Sequence, residues 1–71
     1  MNEKYITMYT IPVGMQDSIE VIGLPDEASY EWLLRTPTGI QHQSRDRYGA
    51  PEVALRDGLI FYLNNELILG G

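Results

Sequence analysis

Two places in this 71-residue chain carry residue types whose spacing could do chemistry: the final Gly70-Gly71 and the run His42, Ser44, Asp46. Glycine makes up about 7% of average usage, so a closing glycine pair arises by chance in roughly one chain in two hundred. The chemistry that wants such an end is carboxyl activation. An adenylating enzyme draws a terminal carboxylate through a narrow channel to the α-phosphate of ATP, and a Cβ on either of the last two residues obstructs that approach. A flexible end is the plainer reading of the same residues. On the first reading Gly71 supplies the carboxylate, Gly70 lets the tail extend, and Leu67, Ile68 and Leu69 anchor the tail on the enzyme.

His42 is the single histidine, and a strand sets positions 42 and 44 on one face, as a base and nucleophile require. No glycine-rich oxyanion turn adjoins them, so a polar surface histidine is the better account and no catalysis is expected. No cysteine is present, which removes disulfides, thiolate metal sites and a cysteine nucleophile and suits a reducing, cytoplasmic compartment. No spacing of His or carboxylates suggests a metal, and no stretch approaches the ~20 apolar residues of a membrane span.

Charge is uneven. Residues 1–31 hold six acids against Lys4 alone, while residues 32–71 balance four acids with Arg35, Arg45, Arg47 and Arg56, giving a net charge of −5 overall. Nucleic acid is not the expected partner, since phosphate binding needs clustered Lys and Arg. For the same reason Tyr5, Tyr9, Trp32 and Tyr62 read as core aromatics, not as base-stacking platforms. Lys4 and the N-terminus are the only amines on which a second chain could be joined.

The elements that must position these residues follow from periodicity. Lys4 to Ile11 has aromatic and β-branched residues on both faces and reads as a buried strand. Met15, Ile19 and Ile22 fall at helical spacing, with Gly23 and Pro25 as stops, so residues 15–24 read as a short helix, with a strand over 18–23 as rival. Residues 30–36 and 40–44 read as a hairpin about Pro37-Thr38-Gly39, with Thr36 opposite Ile40, Trp32 opposite Ser44 and Glu31 across from Arg45. A helix over 26–35 competes with it. Arg56-Asp57-Gly58 reads as a turn into a buried strand, Leu59 to Leu63. The alternative is a helix from Pro51 to Asn64 that must carry Gly58 at about 1 kcal/mol. Asn64 and Asn65 mark the end of the packed body, so residues 1–65 form one domain and residues 66–71 a flexible tail.

The stretch Leu55-Arg56-Asp57-Gly58-Leu59-Ile60-Phe61-Tyr62-Leu63, finishing at Gly70-Gly71, resembles the end of ubiquitin-like β-grasp proteins and of the sulfur carriers of molybdopterin and thiamine synthesis. Gly23-Leu24-Pro25 through Tyr30, Leu33, Leu34 and Gly39 is similar to bacterial ubiquitin-like proteins. The resemblance implies an α+β fold, a mixed sheet with one main helix and a flexible tail. It implies a protein modifier whose Gly71 carboxylate is adenylated, with ATP and Mg used by the activating partner, and passed to a conjugating enzyme and a target amine. A sulfur carrier served by a sulfurtransferase is the first alternative. A small acidic binding or inhibitor protein, using the acids of residues 17–31, is the second.

Overall fold

A computed structural model describes residues 4–69, and side chains through Asn64. Four strands come first and one long helix last: β1 (Ile6–Val13), β2 (Asp17–Leu24), β3 (Ser29–Thr36), β4 (Gly39–Gln43) and α1 (Pro51–Leu69). A single 3-10 turn, Pro25–Glu27, joins β2 to β3. The sheet order is β1-β2-β3-β4, antiparallel throughout. The expectation of an α+β chain with a sheet and one helix holds at that level. The expected mixed sheet is corrected. Each connection within the sheet is only a few residues long, and a parallel neighbour needs a crossover of about a dozen or more. All four strands precede the helix, whereas a ubiquitin-like order has a two-stranded hairpin before it.

β2 corrects the helix expected over residues 15–24. Ile19 and Val21 alternate to the helix-covered face and are both 0% exposed, while Ser18, Glu20 and Ile22 point to the other face. Glu20 falls between these two buried positions. In a sheet covered by a helix on one side only, that is where an acid belongs, and Arg35 on β3 meets it at 2.8 Å. Met15 is 99% exposed at the tip of the β1–β2 turn, where Gly14 has φ +63°. The rival helix over 26–35 is absent too, because Tyr30, Trp32 and Leu34 alternate inward along β3.

β1 is an edge strand, not a buried one. Tyr5 and Ile6 are exposed, and Pro12 is tolerated because one side of the strand has no partner. Its pairing with β2 shifts by one residue between Thr7 and Tyr9, which turns both Met8 and Tyr9 toward the core.

The 30–36/40–44 hairpin forms as expected. Leu34 faces His42, Leu33 faces Gln43, and Ser44 N–H donates to the Trp32 carbonyl at 2.9 Å. Near the turn the register moves by one, with Thr36 opposite Gly39 and Arg35 opposite Ile40. The irregularity therefore falls between Leu34 and Arg35 instead of at Gly39. Glu31 takes Gln43 Nε2 at 2.7 Å and Arg47 at 3.6 Å in place of the expected Arg45.

The expected strand over Leu59–Leu63 is corrected to helix. Ala54 N–H bonds to the Ala50 carbonyl at 3.3 Å to open α1, and Pro51 occupies its first position, where no donor is needed. The helix continues through residues 66–69, which were set apart as a tail. Gly58 lies inside α1, and a β-carbon there would stand 3.0 Å from both Ile19 Cγ2 and Trp32 Cγ. This glycine is where helix and sheet come closest. Ala54, 0% exposed, packs one turn earlier against the cluster of Ile19, Val21, Tyr30, Trp32 and Leu34.

At Gly23 a β-carbon would lie 2.3 Å from Tyr30 Cδ1 and 2.7 Å from the Ser29 carbonyl oxygen, since the Tyr30 ring covers the bare backbone across the strand pair. Gly23→Ala and Gly58→Val should therefore each lower unfolding free energy by about 1–3 kcal/mol. Gly49→Ala, with nothing within 4 Å, should stay within about 0.5 kcal/mol. Urea unfolding of the three variants checks the ranking.

Candidate functional site

The described residues lay α1 lengthwise over β2 and β3 and bring it to β1 at two points. Glu52 meets Tyr9 near the helix start, and Tyr62 lies over Gly14 at the β1–β2 turn. From Glu52 to Tyr62 the helix rises about 15 Å, close to what β1 covers between Tyr9 and Gly14. The helix therefore runs lengthwise with the strands, and Tyr62 marks the end of the sheet. Residues 63–69 carry α1 about 10 Å farther. Leu63 is 57% exposed there, Ile60 is 47% exposed one turn earlier, and the Met15 side chain stands free on the adjoining turn. Between turn and helix lies an open depression of about 470 Å³ lined by Gly14, Met15, Gln16, Asp17 and Tyr62.

The residues singled out in the sequence fall as follows. Lys4 is exposed just before β1. Leu67, Ile68 and Leu69 have helical backbone at the outer end of α1, and Gly70 and Gly71 lie outside the described residues. His42 and Ser44 are not brought together. The His42 ring packs on Phe61, centroids 4.7 Å apart, and the Ser44 hydroxyl donates to the Asp46 carbonyl at 3.0 Å while accepting from Trp32 N–H at 3.3 Å. Tyr9, Trp32 and Tyr62 pack in or against the core, as their reading as core aromatics requires. Tyr5 lies outside it.

The acids of residues 17–31 do not form one surface. Asp17 opens β2 at the turn end of the sheet, and Asp26 and Glu27 sit on the 3-10 turn at the opposite end. Glu20 and Glu31 point to the face away from α1, and both are paired. Arg35 reaches Glu20 with Nε at 2.8 Å and Nη2 at 3.4 Å. Glu31, only 8% exposed, is held by Gln43 and Arg47. Their long side chains cover Leu33 on this face. Tyr48 bridges Tyr30 by two 2.9 Å backbone bonds, which fixes the loop that leads into α1. Burial pushes the Tyr48 phenol up, and a hydrogen bond to Asp57 adds to it.

In the first turn of α1 Tyr9 Oη donates to Glu52 Oε2 at 2.8 Å. That bond, helped by the Glu52 backbone N–H, holds the carboxyl below its ordinary range. The same bond raises the phenol of Tyr9, with desolvation and the Glu52 charge adding to it. Among the described residues no three His, Cys, Asp or Glu side chains are grouped to hold a metal ion, and no helix is long and apolar enough to cross a membrane.

Comparison with known proteins brings no relative: no family model matches the chain, and neither a curated protein nor a solved structure matches it.

The Tyr9–Glu52 bond gives a pH dependence of defined sign. The depressed Glu52 contributes stability that is present above the unfolded carboxyl range and lost as pH falls through its folded value. The raised Tyr9 contributes below the unfolded phenol value and loses it as pH rises through its own. Tyr9→Phe should move the Glu52 midpoint upward toward the ordinary carboxyl range in an NMR side-chain titration. An unmoved midpoint would show that the hydroxyl is not the cause.

Proposed function

We propose that this chain is a partner-binding protein, without catalysis of its own, that engages another protein through the outer end of α1. One observation carries the reading: α1 continues past the Tyr62–Gly14 contact with Leu63 exposed and with Leu67, Ile68 and Leu69 on the same length of helix. A helix apolar on more than its sheet-facing side has surface left to bury, and in water that surface is covered by association.

The modifier and sulfur-carrier readings are the cases in which the partner is an adenylating enzyme. Their support is the pattern from Leu55 to Gly71 and a fold of one sheet and one helix; the order of the elements does not add to it. Both need the last residues extended in the enzyme's channel, so residues 66–69 must unwind from α1 on engagement. The acidic-inhibitor reading gains nothing from the geometry, because its acids are dispersed and two of them are paired within the chain.

The test is recovery of partners from source cells by an N-terminally tagged chain, beside Leu63→Glu. Leu63 is exposed, so the variant keeps its fold. Loss of a central apolar anchor should lower partner recovery at least about tenfold. Intact and digest masses then name the case. A lysine bearing a Gly71 remnant marks conjugation, sulfur in place of oxygen on the free chain marks sulfur transfer, and an unmodified chain with a non-covalent partner marks plain binding. Equal recovery by both chains removes the outer end of α1 as the contact element.

A further inference from the structure

Asp17 differs from the other acids of the sheet. It stands two residues before Ile19 on β2, so alternation along the strand puts it on the face that α1 covers, whereas Glu20 lies on the opposite face. Tyr62 of α1 lines the same depression as Asp17, which agrees with that placement. Glu20 and Glu31 each have an arginine within the chain. The carboxylate of the half-buried Asp17 makes no ion pair or hydrogen bond with another described residue. No Lys, Arg or His lines the depression of about 470 Å³ in which it stands. The wall opposite is aromatic: a β-carbon at Gly14 would stand 2.5 Å from the Tyr62 hydroxyl, so the phenol lies close over bare backbone. Met15 and Gln16, both exposed, form the rim.

We propose that this depression receives an arginine side chain of a partner protein. Charge selects a cation, because the one ionised group in the lining is a carboxylate and the chain as a whole carries −5. The pairing of carboxylate with aromatic ring selects guanidinium over ammonium. A guanidinium presents two parallel N–H groups to the two carboxylate oxygens and a flat face to a tyrosine ring, and it is less strongly hydrated than an ammonium. Its aliphatic stem lies against the unbranched thioether of Met15, which adapts to an apolar neighbour. Leu63, the residue after Tyr62, is exposed on α1, so a protein seated there has the depression within reach of one long side chain. That the arginine belongs to a partner rests on the reading of the outer end of α1 as the contact element; the site itself does not.

NMR titration of the full chain with Nα-acetyl-arginine methylamide at constant ionic strength reads the site. The citrulline analogue, of the same shape without the charge, and the lysine analogue are run beside it. The amide signals of residues 14–17 should shift and saturate with a dissociation constant on the order of 10 mM, and both analogues should bind at least about threefold more weakly. Asp17→Asn, which removes no contact made within the described residues, should weaken the arginine probe at least about fivefold while the other signals keep their positions. Absence of saturation at residues 14–17, equal binding by either analogue, or an unchanged Asp17→Asn overturns the proposal. In cells Asp17→Asn should also lower recovery of the partner that Leu63→Glu loses. Arginine binding together with recovery that Leu63→Glu leaves intact keeps the site and removes the contact reading of α1. No arginine binding, with recovery lost in Leu63→Glu, removes the site and keeps that reading.

Discussion

The contact of Gly58 with Trp32 and Ile19 is the constraint around which the rest is arranged. An antiparallel sheet of four short strands has two faces to satisfy, and the described residues supply one helix with which to cover one of them. The helix must therefore come close. Absence of a β-carbon at Gly58 lets the α1 backbone settle onto the Trp32 ring and the Ile19 branch, and Ala54 continues the close approach one turn earlier. About 1 kcal/mol of helix propensity is given up at that position. The burial of Ile19, Val21, Tyr30 and Trp32 that it permits is worth several times more, at about 1.5–3 kcal/mol for each large apolar side chain.

The face away from α1 is handled by different physics. No helix is left for it, and its apolar members, Leu33 and Ile22, sit among charged and amide side chains that reach across the strands. Glu20 with Arg35, and Glu31 with Gln43 and Arg47, lie over the sheet as a polar cover. Exposed ion pairs of this kind stabilise little by themselves. Their aliphatic stems shield the apolar residues beneath, and Leu33, flanked across the strands by Glu20 and Gln43, is buried on this face.

Legibility in the sequence followed how local each signal was. The β3–β4 hairpin was readable because Pro37 and Gly39 carry its turn in their own backbone preferences, and the error there was one residue of register. β2 was misread because Met15, Ile19 and Ile22 happen to match a helical period, and because the fate of Glu20 depends on Arg35, fifteen residues away. α1 was misread for the reverse reason. Asp57-Gly58 is a turn signal locally, and only the close approach of Trp32, a long-range contact, makes glycine a helix residue there. The proposed contact element was legible as a composition, an apolar end at residues 67–69, and not as a shape. Nothing in the chain announced that Tyr62 would mark the end of the sheet.

The position of α1 after all four strands sets the order of events during synthesis. All three hairpins close over short loops, so the sheet can pair as it leaves the ribosome. Its apolar face, with Ile19, Val21 and Trp32, then stays bare until Pro51 and the residues after it have been added. For that interval the nascent chain is a four-stranded ribbon with one greasy side, the state in which a half-made protein is most prone to stick to others. The segment that ends this exposure is made only after the whole sheet, so a chain stopped short of α1 leaves that side open for good.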